Sequence, residues 1–251
     1  SQYRYYDPET HGVDFSAMAE DLAAAGSNDI VLLHGCCHNP SGADLTPEQW
    51  REIASMAAKQ GFTPMVDLAY QGFGEGLETD VYGLRTLIEQ VPEVVIAASL
   101  SKNMGLYRER TGLAIFVGPD SRTAEATVSQ AKAAARRIYS MPPAHGALLA
   151  GRVLGDPILR ADWEAELTAM CARINGLRSD FQRRLEEATG RDFGFIAKEK
   201  GMFSFLGLTE DQARSVRSER GLYMLNSSRI NIASLNAQNM DRVVAAVASV
   251  L

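Results

Sequence analysis

Lys102 stands between two serines in the stretch SLSKNMGLYRER, residues 99–110, directly after the apolar run EVVIAA. An ammonium at the carboxyl end of a core strand can be desolvated, lose its proton easily and form a Schiff base with a carbonyl compound. The plain alternative is a solvated surface lysine, which is what most lysines are. Two further apolar runs end in polar groups: IVLL leads into HGCCHNPSG, with Asn39, and TPMV into DLAYQGF, with Asp67 and Tyr70. Taken singly, these residues could be a turn, a cap and a packing aromatic, because many polar loop residues have no chemical task. Three such strand ends in succession point to a ligand site, since open α/β sheets bind ligands outside the carboxyl ends of their strands.

The elements that must position these groups alternate along the first half of the chain. DFSAMAEDLAAA reads as a helix and DIVLLHG as a buried strand, and TPEQWREIASMAAKQG is a helix capped by Thr46 with Pro47 in its first turn. FTPMVDLA, EVVIAAS and GLAIFVGP are further strands, and VYGLRTLIEQV is another helix. Short continuous apolar strands separated by helices predict a mostly parallel sheet covered on both faces, an α/β fold. From Asp156 on, Leu159, Trp163, Leu167, Met170, Ile174, Leu177, Phe181 and Leu185 recur at helical spacing, predicting one long helix over about 156–189. The Trp163, Met170 and Phe181 stripe is core on this reading. GMFSFLG, TEDQARSVRSER, RINIAS and MDRVVAAVASVL then read as strand, helix, strand and helix. The expected division is a partial large domain over residues 1–165 and a small α/β domain over 166–251, joined by the long helix.

Composition excludes several classes. The 251 residues are 46% hydrophobic and carry a formal charge of −6 with acids and bases interspersed. Without a basic tract, no nucleic-acid or anionic-membrane partner is expected. No apolar stretch is long enough to span a bilayer, and no signal peptide is seen. Cys36, Cys37 and Cys171 form neither a disulfide framework nor a repeated metal-ligand spacing, which fits a reducing cytoplasm. His34, His38 and His145 lack the neighbours of a zinc site and read as core or loop histidines, so no metal is expected. GFGEG lacks the spacing of a dinucleotide loop.

The motifs GCCHNPSG, DLAYQGF, SLSKNMGLYRERTG, YSMPPAHG and SSRINIAS occur in this order. Together they resemble the class I aminotransferases of the aspartate and aromatic amino acid group, along essentially the whole chain. The resemblance implies fold type I, with a mostly parallel sheet sandwiched by helices and a smaller carboxy-terminal α/β domain, and pyridoxal 5'-phosphate (PLP) as cofactor. It implies that Lys102 binds the cofactor aldehyde and then acts as general base and acid, and that Asp67 pairs with the pyridine nitrogen. Asn39 and Tyr70 match the groups that bond the phenolic oxygen. Ser99, Ser101 and Arg110 match the phosphate anchor, where the plain reading of Arg110 is a surface pair with Glu109. Arg229 matches the clamp on the substrate α-carboxylate. Arg136 matches the arginine that selects a side-chain carboxylate from the neighbouring subunit, with Arg137 beside it as a competing choice.

The resemblance therefore implies ping-pong transamination between an amino acid donor, aspartate or aromatic, and a 2-oxo acid, 2-oxoglutarate above all, in a cytoplasmic homodimer with shared active sites. Ser41 stands where threonine is common and Ser234 where glycine is common; neither change removes a catalytic group. The chain starts at Ser1, and the amino-terminal portion of the family pattern is missing, which predicts an exposed sheet edge and exposed apolar core. Two other readings stay open: a PLP-dependent decarboxylase or lyase of the same fold, and a catalytically incompetent fragment or binding module.

Overall fold

The structure, a computed structural model, describes residues 1–251. Its centre is a sheet of four strands in the order β3 (Ile30–His34), β4 (Thr63–Leu68), β5 (Val94–Ser99) and β6 (Gly112–Val117). The first three strands run parallel and the last is antiparallel to its neighbour. The connections explain this pattern. Helices α2 (Pro47–Gln60) and α3 (Tyr82–Gln90) carry the chain back between the parallel strands. Between β5 and β6 there is only a turn-rich loop, too short for a crossover, so β6 must return antiparallel. That loop carries Lys102.

The local signals behave as expected. Thr46 accepts from the backbone of Gln49, whose side chain bonds back to Thr46, and Pro47 opens α2. Gly61 closes the helix in the left-handed conformation. Trp50, Ile53, Ala54 and Ala57 form its buried face. The reading of strands covered on both faces does not hold fully even at the centre, where β4 buries Pro64, Val66 and Leu68 but leaves Thr63, Met65 and Asp67 on the other face half-buried. Ile30 is 66% exposed on β3 and Leu113 63% exposed on β6, so both outer strands show apolar side chains to the surface.

A short hairpin, β1 (Tyr6–Asp7) with β2 (Gly12–Val13), and a first helix, α1 (Phe15–Leu22), precede the sheet; the hairpin was not foreseen from sequence. After β6 come α4 (Ser121–Tyr139), which buries no residue, and α5 (His145–Gly155). The long helix α6 spans Pro157–Thr189, with Asp156 capping its first turn and Gly190 ending it. Its apolar stripe is buried only from Leu167 onward; Leu159 is exposed at the amino end. The remaining elements are α7 (Gly194–Lys198), β7 (Phe203–Phe205), α8 (Glu210–Arg220), β8 (Arg229–Asn231) and α9 (Met240–Ala248), with β7 and β8 paired antiparallel. One continuous apolar core runs from Met18 through the sheet and α6 to Val247.

Candidate active site

Asp67 is the last residue but one of β4, in register with His34 of β3 and Ala97 of β5. Residues paired across neighbouring strands point to the same face, so His34 and Asp67 share one side of the sheet. The Gly35 amide donates to the Asp67 carbonyl at 2.8 Å, which fixes the strand end. Burial lowers the His34 pKa, and the Asp67 carboxylate pulls it back up. His34 is thus part of the Asp67 surroundings and not only a loop histidine.

The next strand end holds Lys102 over Tyr70. The Lys102 ammonium lies 4.6 Å from the centre of the Tyr70 ring, an attraction worth about 0.5–2 kcal/mol depending on exposure. Asn103 anchors this turn from two sides. Its amide donates to the Gln71 carbonyl at 3.2 Å, and its own carbonyl accepts the Trp163 indole N–H at 2.8 Å. Trp163 therefore braces the lysine loop from α6, a task beyond the core packing expected of it.

From Tyr70 a chain of contacts leads across the molecule. The Asn39 side-chain amide donates to the Tyr70 hydroxyl at 3.3 Å, and the Asn39 carbonyl oxygen accepts from Arg229 Nη1 at 3.1 Å. Burial raises the Tyr70 pKa, and the Asn39 bond opposes the rise. The Arg229 guanidinium lies 4.7 Å from the Phe203 ring centre, and Phe203 meets Tyr70 edge to face at 6.2 Å. Residues 39, 70, 102 and 229 are brought together from four separate segments.

The loop bearing Asn39 is held tightly. Asp44 accepts from the Cys37 and His38 amides at 2.7 and 2.8 Å, and burial lifts its carboxyl to about 6. The His38 ring stacks on Tyr5 at 4.1 Å and its Nδ1 lies 2.7 Å from the Ser41 hydroxyl. The Asn39–Pro40 peptide is cis. Gly42 has a φ of +80°, and a β-carbon there would lie 2.5 Å from the Phe203 carbonyl, so glycine is required.

Ser99 and Ser101 face each other, with hydroxyls 3.0 Å apart. Arg110 is not joined to them. It is exposed, has a φ of 53°, and donates to the Tyr107 carbonyl at 3.0 Å. Its suspected pair with Glu109 does not form either, because Glu109 pairs with His145 at 2.9 Å. Arg136 and Arg137 sit exposed in the last turn of α4, and no contact brings either to the cluster.

The donor set fits a phosphorylated pyridine aldehyde. It offers an amine outside any internal ion pair, a carboxylate on the adjoining strand, amide and phenol groups for a ring oxygen, and paired hydroxyls for a phosphate. Sequence reasoning missed His34, Asn103 and Phe203. The register of two parallel strands could have exposed His34; nothing local marked Phe203.

Geometry of this kind, on an α/β sheet with a lysine at the third strand end, is compatible with the class I and II aminotransferase family. The chain belongs to that family, whose pattern matches residues 1–247. It is 50% identical over 249 residues to the aromatic-amino-acid aminotransferase of Paracoccus denitrificans, covering 99% of this chain and 63% of that protein. It is 47% identical over 251 residues to the aspartate aminotransferase of Escherichia coli strain K12, covering 100% of this chain and 63% of the other. The solved aromatic-amino-acid aminotransferase of Burkholderia pseudomallei, covalently bound to pyridoxal phosphate, superposes with a TM-score of 0.97 at 40% identity, over 99% of this chain and 63% of that one. The chain thus spans less than two thirds of these relatives, and its fold is the fold-type I architecture implied by its motifs. No helix is long and apolar enough to cross a membrane.

Proposed function

We propose that the protein to which this chain belongs is a PLP-dependent amino acid aminotransferase. It takes nitrogen from aspartate or an aromatic amino acid and passes it to a 2-oxo acid, 2-oxoglutarate foremost, in ping-pong fashion. The observation that carries the reading is the Lys102–Tyr70–Asn39–Arg229 contact chain at the strand ends. When bound, the cofactor supplies an electron sink for the bond-breaking at the substrate α-carbon. The chain's own residues do the rest. Lys102 Nζ holds the cofactor and moves the proton at the α-carbon. Asp67 keeps the ring nitrogen protonated, with His34 beside it. Asn39 and Tyr70 donate to the ring oxygen, Ser99, Ser101 and Arg110 hold the phosphate, and Arg229 clamps the α-carboxylate with its planar fork. The cofactor-binding part is residues 1–165 and the carboxy-terminal part 166–251. A cytoplasmic homodimer with shared sites completes the reading.

Borohydride reduction after incubation with PLP, followed by peptide mass mapping, tests the cofactor site. A pyridoxyl group confined to Lys102 is expected; labelling scattered over surface lysines of the full-length protein would refute the site. The assignment of Arg136 to the second carboxylate, reached across the dimer, is tested separately. Arg136→Ala should cut kcat/KM for dicarboxylic substrates on the order of 100-fold, as losing one partner of a desolvated charge pair does. Aromatic substrates should be nearly unaffected, and equal losses for both classes would contradict the assignment.

A further inference from the structure

Arg178 is 1% exposed, in the middle of α6, and its guanidinium serves five acceptors on one short segment. Nε and Nη2 donate to the Gly201 carbonyl at 3.2 and 2.9 Å, Nη1 to the Ile196 carbonyl at 3.1 Å and to the Glu199 carboxylate at 3.3 Å. Nη2 also reaches the carbonyls of Lys200, at 3.2 Å, and Phe203. Burying a cation this completely is unfavourable unless it is paired and fully hydrogen-bonded, and here both conditions are met. The segment it grips, residues 196–203, is the one that joins the two halves of the site. The Lys200 amide donates to the Gly42 carbonyl at 2.8 Å, in the loop of Asn39, and the Ile232 amide donates to the Met202 carbonyl at 2.8 Å, beyond the strand of Arg229. Register pairs Phe205 with Arg229 and Phe203 with Asn231, and the Phe203 ring lies beneath the Arg229 guanidinium.

We infer that Arg178 is a positioning residue that sets the separation of Arg229 from Asn39, and through it the affinity of the site for a substrate carboxylate. Four carbonyls and a carboxylate pulled toward one planar group leave the 196–203 segment a single path, and both binding residues hang on that path. The inference rests on the aminotransferase reading above. A lysine at this position keeps the charge but cannot reach acceptors spread around a fork. Packing alone would make Arg178 matter for stability and nothing else.

The discriminating experiment uses the full-length protein loaded with PLP. The dissociation constant of 3-phenylpropionate, an unreactive monocarboxylate, is measured by calorimetry for the unaltered protein and for Arg178→Lys, beside Tm, kcat and KM. Arg178→Lys should weaken the inhibitor and raise KM by about 10–100-fold, the size expected when a remote change displaces a binding group by an ångström, with kcat changing far less. A lower Tm with an unchanged dissociation constant would overturn the inference. If Arg178→Lys does not fold, Glu199→Gln serves instead, because it keeps an oxygen acceptor for Arg178 Nη1 but removes the charge that holds the guanidinium on the 196–203 segment. The same weakening is expected from it, and unchanged affinity overturns the inference. Failure of the unaltered protein to bind either 3-phenylpropionate or the dicarboxylate succinate would bring down the aminotransferase reading itself, and the inference with it.

Discussion

Lys102→Ala is expected to lower transamination by about 10,000-fold or more, at the upper end of what a positioned acid–base group contributes. The reason lies in what surrounds the amine. Lys102 Nζ sits over the Tyr70 ring and in no ion pair, so no carboxylate partner is lost when its amine bonds an aldehyde. No second amine or imidazole in the contact chain can replace it. Tyr70 is held protonated by burial, Asn39 does not titrate, and Arg229 cannot deprotonate in this range. His34 lies on the Asp67 strand pair, not on the lysine loop. Single-turnover transamination with the Lys102→Ala protein is the measurement, read alongside loss of the borohydride label. Retention of the half-reaction at more than a few per cent of the normal rate would place the proton transfer elsewhere.

The parts of this site that were legible in the sequence are those set by the chain's own neighbourhood. Asp67, Tyr70 and Lys102 announce themselves because each follows a short apolar run, where a polar residue is conspicuous, and the helix caps at Thr46 and Asp156 are read from adjacent residues. What could not be read locally is whatever depends on two segments meeting. His34 reads from sequence as a core or loop histidine, and only the parallel register sets it beside Asp67. Phe203 and Arg178 are an ordinary strand aromatic and an ordinary helical arginine in sequence, and become significant only when β7 folds under Arg229. The antiparallel β6 was legible in principle, from the missing helix after β5. Arg110 and Arg136 show the opposite limit: motif position names them, but within the chain both point to solvent. Arg229, by contrast, is fixed inside the chain by Asn39 and the Phe203 ring.

Asp67→Ala should separate function from stability more cleanly than any other change at the site. The carboxylate is half-buried at a strand end and takes no part in an ion pair with the chain, so the folded protein gains little from it without the cofactor. Removing a group of this kind shifts stability by about 0.5 kcal/mol or less. On the proposed reading the carboxylate would hold the proton on the ring nitrogen of the bound cofactor, an electrostatic task whose loss costs about 100–1,000-fold in rate. Cofactor affinity should fall as well, and the stabilisation that PLP gives to thermal unfolding should shrink with it. Asp67→Glu keeps the charge and should recover part of the rate, because what the site needs there is a negative end more than a particular length. His34 supplies an internal check. Asp67 draws its pKa upward against burial, so in the Asp67→Ala protein the imidazole should titrate at lower pH, visible in its NMR signal. The decisive comparison is therefore between forms: near-equal Tm without cofactor, a lost increment with it, and a rate down by two to three orders. An equal loss of Tm in both forms, with the rate within a few-fold of normal, would make Asp67 a structural residue and leave the electron sink without its counter-charge.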